Sequence, residues 1–392
     1  MRILALYNGI YPGGMAMSNR LHFYCKALIA KGEDIEIVVP SNESISNNGY
    51  HDGVKYFYLQ DPVKFRKHIL LKINNFIAAF IYARYCFLSA KKYDILFIPG
   101  FGWFTAFLMI LGTHLGGAKV VLEVNENPNM PEGGRLDPRW LRKIHRQLML
   151  NITFRFTDGF IVISKSLEQL VEKYKKKSAP IVRIPIITDK IKESSRVFDK
   201  TSVPFILHTG ALSETKDGVE AMFHAFAKAA GRTDIPIKFI LTNKIAHNKL
   251  LQKIDKTIKV NKLEERVVFL GHIPKLELEE YRISCLTTII NKPVNEQNLY
   301  NFPTKLGEFL SYGIPVIASS TGEMGSFLKD KENAFIVPPN DSDAIAEKIL
   351  YILDHPDEAL KIGKAGKALA EKEFYFMNHS KKLADFFKTI VN

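Results

Sequence analysis

Short apolar runs of strand length alternate with helix-length segments along the whole chain. In the first half the apolar runs are "RILALY", "DIEIVVP", "DILFIP", "KVVLEV", "GFIVIS" and "IVRIP". In the second half they are "PFILHTG", "IKFILT", "VVFLG", "LTTII" and "IPVIAS". Near-continuous apolar strands separated by helices are typical of parallel sheets that are buried on both faces. The pattern therefore predicts an α/β fold.

The pattern also predicts two domains. A chain of 392 residues is too long for one ordinary α/β core. The segment 186–203 is polar and loses its periodicity, so it is the predicted linker. We expect domains at 1–187 and 188–374, with a terminal amphipathic helix (371–392 by its pattern, 375–392 as assigned to a domain) that packs back on the first domain. Each half opens with a strand, a glycine turn and a helix, which predicts two sheets facing one ligand cleft.

Two apolar segments raise the question of a membrane or a leader peptide. The uncharged segment 95–118 is long enough to span a bilayer. Pro99, Gly100 and Gly102 interrupt it, which favours a buried strand followed by a short helix. At the start of the chain, Asn8 and Pro12 interrupt the apolar stretch, so we interpret it as a first strand rather than a signal peptide.

The composition is that of a globular protein with scattered cysteines. Its hydrophobic content is 46%, and its three cysteines lack any CxxC spacing. We therefore expect free thiols in a reducing compartment and no zinc site.

The charge is concentrated in the first half. Residues 1–187 carry 25 lysines and arginines against 14 acids, whereas residues 188–392 carry 29 against 27. Seven basic residues and no acid lie between Pro62 and Lys92, namely Lys64, Arg66, Lys67, Lys72, Arg84, Lys91 and Lys92. The interleaved aromatic residues are Phe65, Phe76, Phe80, Tyr82, Tyr85 and Phe87. This face suits an anionic membrane surface, and a solvated helix with inward aromatics remains the alternative.

Two segments of the second half carry candidate chemistry. In "HTGALSETKDG", Gly210 permits a tight turn after a buried strand and Lys216 lies near the next helix, a combination that suits a phosphate. The spacing is not that of a Walker loop. In "FPTKLGE", Pro303 fits the first turn of a helix, so the amides of Thr304 and Lys305 would point toward an anion. Glu308, about one turn further on, could accept hydrogen bonds from ribose hydroxyls.

These segments resemble a known family. "HTGALSETKDGVEAMFHAF", "VVFLGHIP" and "NFPTKLGEFLSYGIPVIASSTGEMGSFLKDKENAFIVPPND" are similar, in order and spacing, to the donor-binding half of retaining glycosyltransferases of family 4. "YPGGMAMSNRLHFYCKALIAKGEDIEIVVP" resembles the opening of their first domain. The resemblance implies the GT-B fold, in which two Rossmann-like domains with parallel sheets face each other across a central cleft.

The resemblance also implies roles for individual residues. Lys216 would bind the donor diphosphate, and Glu308 would bind the nucleotide ribose. The predicted substrate-binding residues as a whole are Gly13, Gly14, Arg20, Gly210, His272, Ile273, Asn301, Thr304, Lys305, Glu308 and Glu323. Among them, His272 and Ile273 would border the base, and Gly13 and Gly14 would let the first loop approach the phosphates, with Arg20 as a second cation.

Two positions depart from the family. Tyr300 stands where members commonly have a second glutamate that contacts the donor sugar, and Ala211 stands where many have an arginine. Lys305 could offset the missing arginine. Asn298, Asn301 and the backbone amides of 323–325 could replace the missing glutamate.

The reaction implied is transfer of a sugar from a nucleotide-diphosphate sugar to a hydroxyl with retained configuration. No paired carboxylates at a double-displacement spacing can be recognised. Catalysis would rest on stabilising charge that develops on the diphosphate, with Lys216 as the catalytic cation and no obligatory metal or other cofactor. Glu126, in "EVNENP" at the end of a strand, is the candidate for acceptor positioning or proton transfer, and a solvated loop acid is its alternative.

We expect a bacterial enzyme that extends a lipid-linked surface polysaccharide (capsule, O-antigen or exopolysaccharide) at the inner face of the cell membrane. A nucleotide-sugar epimerase of the same fold and a non-catalytic nucleotide-sugar binding protein remain alternatives. A nucleic-acid binder is disfavoured, because the chain lacks an RNA-binding signature. The sugar, the nucleotide, the acceptor and the oligomeric state stay open.

Overall fold

The computed structural model describes residues 1–14, 16–41, 48–60, 68–128, 139–190, 203–245 and 247–391. Two compact units are present, one formed by Met1–Ile187 with Phe376–Asn392 and the other by Thr188–Tyr375. We call them unit 1 and unit 2. Of the predicted basic stretch, Lys64, Arg66 and Lys67 lie outside the described residues, as does most of the predicted linker.

Unit 1 is built on a mostly parallel sheet. Its strands are β1 (Arg2–Leu6), β2 (Asp34–Ser41), β3 (Gly49–His51), β4 (Val54–Gln60), β5 (Ile95–Pro99), β6 (Lys119–Val124), β7 (Gly159–Val162) and β8 (Ile181–Arg183). Its first helices are α1 (Ala16–Ile29), α2 (His68–Ser89), α3 (Trp103–Gly116), α4 (Arg139–Leu148), α5 (Phe154–Phe156) and α6 (Lys165–Tyr174). The strand order is β3-β4-β2-β1-β5-β6-β7-β8, and only the β3–β4 pair among the described strands is antiparallel.

The uncharged segment 95–118 forms the predicted strand and helix, β5 and α3. All five residues of β5 are buried, and α3 packs closely on α2. A Cβ at Gly112 would lie 2.2 Å from the carbonyl oxygen of Ala83, and one at Gly116 would lie 2.5 Å from that of Phe87. These glycines therefore permit the close helix contact. Among the described helices, none has the length and apolar character needed to cross a membrane.

Unit 2 has the second predicted series of strands. They are β9 (Phe205–His208), β10 (Lys238–Leu241), β11 (Val267–Phe269), β12 (Thr288–Ile290), β13 (Val316–Ser319) and β14 (Phe335–Val337). Its helices are α7 (Glu214–Asp217), α8 (Val219–Ala230), α9 (Asn248–Val260), α10 (Lys275–Ser284), α11 (Glu296–Tyr300), α12 (Thr304–Ser311), α13 (Ser342–Asp354) and α14 (Pro356–Glu373). The parallel groups β11-β10-β9 and β12-β13-β14 are joined by a bridge between Ile206 and Thr287.

The predicted α/β class and the parallel sheets are confirmed in both units. The five strands predicted for the second half are present, and β14 is an additional one that the sequence pattern did not indicate. Cys25, Cys86 and Cys285 are buried, and none of the three is in a disulfide.

The C-terminal segment differs from the single helix expected from 371 or 375 onward. α14 ends at Glu373, a 3₁₀ turn covers Phe376–His379, and α15 covers Ser380–Val391. The helix is interrupted because Phe374 packs against Phe302 in unit 2, whereas Phe376 stacks on Phe23 in unit 1. Within unit 1, α15 packs its apolar face on the sheet, with the rings of Phe387 and Phe97 5.9 Å apart.

Candidate active site

The first loop of unit 2 follows β9 and ends in a short helix. Gly210 has a φ of +85°, as the predicted tight turn requires. Ser213 caps α7 by accepting a hydrogen bond from the backbone N–H of Lys216 at 3.3 Å. Gly218, with a φ of +56°, ends the helix. The half-buried Lys216 and the buried Asp217 are thereby fixed next to each other.

Asp217 is paired with two lysines from other parts of unit 2. Its Oδ1 accepts hydrogen bonds from Nζ of Lys292 and from Nζ of Lys305, each at 2.9 Å. Lys292 lies just after β12, and Lys305 lies in the first turn of α12. The Nζ of Lys305 is also 3.5 Å from Nε2 of His208, the last residue of β9. The carboxyl ends of β9 and β12 and the start of α12 therefore meet at one polar cluster.

The charges of this cluster follow from its burial. Burial alone would raise the pKa of Asp217, but Lys305 and Lys292 outweigh it and hold that pKa well below its usual range. Burial, together with repulsion by Lys305, lowers the pKa of Lys292 to about 8. The same two causes lower the pKa of His208 to about 3, so its imidazole is neutral at pH 7. The cluster thus holds one carboxylate, two ammonium groups and a neutral histidine.

Helix α12 begins at Thr304, one residue later than expected. Pro303 is the N-cap with φ −70° and ψ 117°, rather than a residue of the first turn. The amides of Thr304 and Lys305 still belong to the first turn, whose N–H groups have no partner within a helix. Lys305 adds an ammonium group at the same end, so this helix start is electropositive.

Glu308 lies one turn along α12, and its carboxylate is paired with a cation. Arg282 of α10 donates a hydrogen bond from Nη2 to its Oε2. The same guanidinium lies 5.8 Å from the centre of the Phe309 ring. Arg282 therefore fixes the direction of the Glu308 carboxylate, while about a third of the Glu308 side chain stays exposed.

The region near Tyr300 contains two polar residues that could serve in place of the missing glutamate. Tyr300 ends α11 and Asn301 follows as its C-cap. Asn298 is buried, and its Nδ2 donates to the carbonyl oxygen of Pro293 at 2.9 Å. Its Oδ1 is also buried and has no hydrogen-bond partner among the described residues.

A 3₁₀ turn packs directly on this asparagine segment. The turn covers Gly322–Ser326. A Cβ at Gly322 would lie 2.5 Å from the carbonyl oxygen of Asn298 and 3.3 Å from that of Asn301. Glu323, in the same turn, is buried. The fold therefore brings Asn301 and Glu323 into one neighbourhood, as a shared sugar-binding role would require.

His272 and Ile273 lie on the loop that follows β11. Gly271 has a φ of +76°, His272 is exposed and Ile273 is half-buried. None of the contacts described for unit 2 joins these two residues to the lysine cluster, so their role at the base stays a prediction.

The predicted residues of unit 1 divide into loop and interior positions. Gly13 has a φ of +83°, and a Cβ at Gly14 would lie 2.1 Å from the carbonyl oxygen of Ile10, so both positions need glycine. Glu126 is exposed on the loop after β6.

Arg20 is buried in unit 1 and is paired with residues of its interior. It is only 3% exposed, and its Nε donates to Oε1 of Glu123 at 2.6 Å. Its Nη2 donates to the carbonyl oxygen of Ile184 at 2.8 Å. These interior partners occupy the guanidinium and favour a structural role, whereas phosphate binding by Arg20 stays an untested prediction. The same contact gives Glu123 a structural partner in the interior.

Four residues of the site were missed in the sequence, namely His208, Asp217, Arg282 and Lys292. Lys292 was the easiest of the four to recognise, because it lies just after the buried strand β12. Lys216 likewise lies shortly after a buried strand, β9. Asp217 and Arg282 carry no motif of their own. Among the described residues, no cluster of three or more His, Cys, Asp or Glu side chains could hold a metal ion.

The comparisons with known proteins agree with this architecture. The family model described as glycosyl transferases group 1 matches residues 189–369, which lie in unit 2. A curated relative, trehalose synthase of Pyrococcus horikoshii, is 25% identical over 126 residues. That match covers 29% of this chain and 30% of the relative.

Solved structures match over nearly the whole chain. Sucrose-phosphate synthase from Thermosynechococcus elongatus has a TM-score of 0.74 at 16% identity and covers 100% of this chain and 99% of its own. Anabaena HepE in complex with UDP and glucose has a TM-score of 0.70 at 16% identity and covers 99% of each chain. These likenesses show that the chain has the GT-B fold of two Rossmann-like domains.

Proposed function

We propose that this protein, whose unit 2 matches the glycosyl transferases group 1 family, is a retaining glycosyltransferase of family 4. It transfers a sugar from a nucleotide-diphosphate sugar to a hydroxyl group of an acceptor. The observation that carries the proposal is the meeting of Lys292 and Lys305 at Asp217, the residue after Lys216, at the start of α12 and one turn before Glu308.

In this proposal the donor diphosphate lies at the start of α12. Lys305 and the first amides of the helix bind its oxygens, and Lys216 binds them from the loop after β9. Residues one turn apart are separated by about 5.4 Å along a helix axis. Glu308 can therefore accept hydrogen bonds from the ribose hydroxyls while the diphosphate stays at the helix end.

The chemical demand of the reaction is stabilisation of the departing nucleoside diphosphate. As the bond between the sugar and the diphosphate breaks, negative charge grows on the diphosphate oxygens. Lys216 and Lys305, fixed before the reaction begins, stabilise that charge without reorganisation. The acceptor oxygen bonds to the anomeric carbon on the face from which the diphosphate leaves, so the configuration is retained, and the leaving diphosphate takes the proton of the acceptor hydroxyl. Glu126 is our candidate for positioning the acceptor.

We further propose that the acceptor is a lipid-linked glycan of a bacterial surface polysaccharide. The support is that large apolar side chains on α2 and α4 of unit 1 are exposed, including Phe76, Phe80 and Trp140. Arginines and lysines surround these residues in the sequence. Such a surface suits peripheral contact with the anionic inner face of the cell membrane.

The test is sugar transfer by the purified chain with a panel of nucleotide sugars, beginning with UDP-glucose. We expect Lys216→Met to lower kcat/KM by about 10²-fold, because a positioned charge at the leaving group is lost. Glu308→Gln should raise the donor KM by about tenfold through loss of a charged hydrogen-bond acceptor for the ribose. Glu347→Gln, which changes an exposed acid paired with Arg232, is the matched control.

Unchanged transfer in both Lys216→Met and Glu308→Gln would contradict the site. Formation of an isomerised donor in the absence of acceptor would instead indicate an epimerase. Donor binding without turnover would indicate a non-catalytic binding protein.

A further inference from the structure

One carboxylate oxygen in unit 2 is shared by two ammonium groups. Oδ1 of Asp217 lies 2.9 Å from Nζ of Lys292 and 2.9 Å from Nζ of Lys305. The side chains of Asp217 and Lys292 are 6% and 7% exposed, and that of Lys305 is 15% exposed. Lys305 is therefore the outermost member of this trio, and Lys292 and Asp217 form a buried pair beneath it.

The trio of Asp217, Lys292 and Lys305 has a net positive charge and is largely buried. Two ammonium groups and one carboxylate leave one net positive charge, because the neighbouring His208 is neutral. Burying an uncompensated charge is costly unless a counterion completes the site. A paired Asp217 and Lys305 alone would be neutral as a unit. Lys292 is the residue that leaves Lys305 with charge to offer an anion.

The backbone around Lys292 is held in place on both sides. Its N–H donates to Oγ of Ser319 at 2.8 Å, and its carbonyl oxygen accepts from Oγ1 of Thr321 at 2.6 Å. The preceding residue, Asn291, donates from Nδ2 to the carbonyl oxygen of Gly218 at 3.0 Å. Gly218 directly follows Asp217. The segment after β12 is thus fastened to the end of α7, which fixes the distance between the lysine and the aspartate.

We propose that Lys292 and Asp217 are positioning residues of the donor site, which hold Lys305 at the start of α12 with a net positive charge for the diphosphate. The pair acts through Lys305, and Lys292 supplies the charge that Asp217 would otherwise cancel. This inference rests on the proposed function for the identity of the anion, a nucleoside diphosphate. The charge relation itself can be tested without turnover.

The direct test measures binding of inorganic pyrophosphate to the full chain by calorimetry at pH 7 with EDTA present. Lys292→Met leaves Asp217 paired with Lys305 and removes the net positive charge of the trio. The affinity for pyrophosphate should therefore fall at least about tenfold. The double variant Lys292→Met with Asp217→Asn restores one net charge on Lys305. Its affinity should return to within about threefold of the wild type.

Asp217→Asn alone supplies a second measurement, the melting temperature with and without pyrophosphate. If Asp217 had only a structural role, pyrophosphate would stabilise this variant no more than the wild type. It leaves two adjacent ammonium groups without a counterion, so the variant should unfold at a lower temperature. Pyrophosphate can replace the missing carboxylate. We therefore expect pyrophosphate to raise the melting temperature of this variant by more than that of the wild type.

Turnover of an accepted donor gives a third readout. Lys292→Met should raise the KM for the donor about tenfold and leave the KM for the acceptor unchanged, and the double variant should reverse the change. The matched control is the more exposed pair of Lys348 and Asp330, whose closest atoms are 3.1 Å apart. Lys348→Met, alone or with Asp330→Asn, should alter neither value.

The inference is overturned if Lys292→Met binds pyrophosphate like the wild type, or if the double variant binds no better than Lys292→Met. If sugar transfer occurs but the variants bind pyrophosphate alike, the proposed function stands without this inference. If the charge pattern is obeyed but no donor is turned over, the anion site stands and the transferase proposal fails.

Discussion

At the scale of single residues, the site depends on charged side chains whose partners come from distant parts of the chain. Glu308 has a cation before any ligand arrives, because Arg282 of α10 donates to it. Lys305 is likewise held by Asp217, which lies 88 residues earlier. A carboxylate that is already oriented loses less conformational entropy when a ribose binds. We therefore expect Arg282 to contribute to donor binding although it is not itself a predicted contact.

Arg282→Met should raise the donor KM about fivefold with a smaller change in kcat, since the Glu308 carboxylate loses its orienting partner. The effect of Arg282→Met on the donor KM should be smaller in a Glu308→Gln background, where there is no charge left to orient. The coupling free energy between the two positions should be about 1 kcal/mol. Initial-rate kinetics on the four proteins of this cycle give the result. Arg266→Met, a half-buried arginine that donates to the carbonyl oxygen of Ala230, is the control. Equal effects in both backgrounds would show that Arg282 acts independently of Glu308.

At the scale of elements, the start of α12 is set by how the other end of the helix is packed. The chain leaves α12 through Gly313, whose φ is +71°. Helix α14 lies against this exit, because a Cβ at Gly363 would be only 2.3 Å from the carbonyl oxygen of Gly313. Such a contact between backbones needs glycine on the facing helix. The position of α12, and with it Lys305 and Glu308, therefore depends on a glycine 50 residues further along the chain.

Gly363→Ala should destabilise unit 2 by about 2–3 kcal/mol, because the added methyl group meets backbone atoms that cannot rotate away. Chemical denaturation followed by circular dichroism measures the change. Lys364→Ala, at the exposed neighbouring position of the same helix, should change stability by less than about 0.5 kcal/mol. A Gly363→Ala protein as stable as the wild type would mean that α14 can shift away from Gly313 at little cost.

At the scale of the whole molecule, charge and exposed apolar surface are distributed unevenly between the halves of the chain. The excess of basic over acidic residues lies almost entirely in residues 1–187. The same half exposes several large apolar side chains in α2 and α4, namely Phe76, Ile77, Phe80, Trp140 and Ile144. The rings of Phe76 on α2 and Phe104 on α3 stack with their centres 4.9 Å apart. Positive charge and aromatic side chains favour the interface of an anionic bilayer over water alone.

The full chain should therefore sediment with vesicles that contain anionic lipid, less with neutral vesicles, and less as salt is raised. Phe80→Ser combined with Trp140→Ser should weaken this binding by about tenfold or more, because two apolar side chains leave the interface. Leu276→Ser removes an apolar side chain of unit 2 that is even more exposed and serves as the control. Binding that is unaffected by the double change would contradict the proposed membrane surface.

The sequence by itself determined the α/β class, the positions of most strands along the chain and the helix at "FPTKLGE", because these depend on periodicity, turn residues and caps that are local in the chain. It also indicated Lys216, Lys305 and Glu308 through their positions next to strand ends and helix starts. Their assignment to a donor site remains a prediction for the variants above to test. The local pattern was less reliable at boundaries, as the break between α14 and α15 and the N-cap position of Pro303 illustrate.

Only the tertiary structure decided which charged residues meet. Lys292 and Asp217 are 75 residues apart, and no local pattern links them. Arg20 looked available to a ligand in the sequence, yet the fold places it against Glu123, which is 103 residues away. The physical reason is that a charge is satisfied by whatever lies within a few ångströms of it. Parallel sheets bring together strand ends that the chain separates by a helix or more.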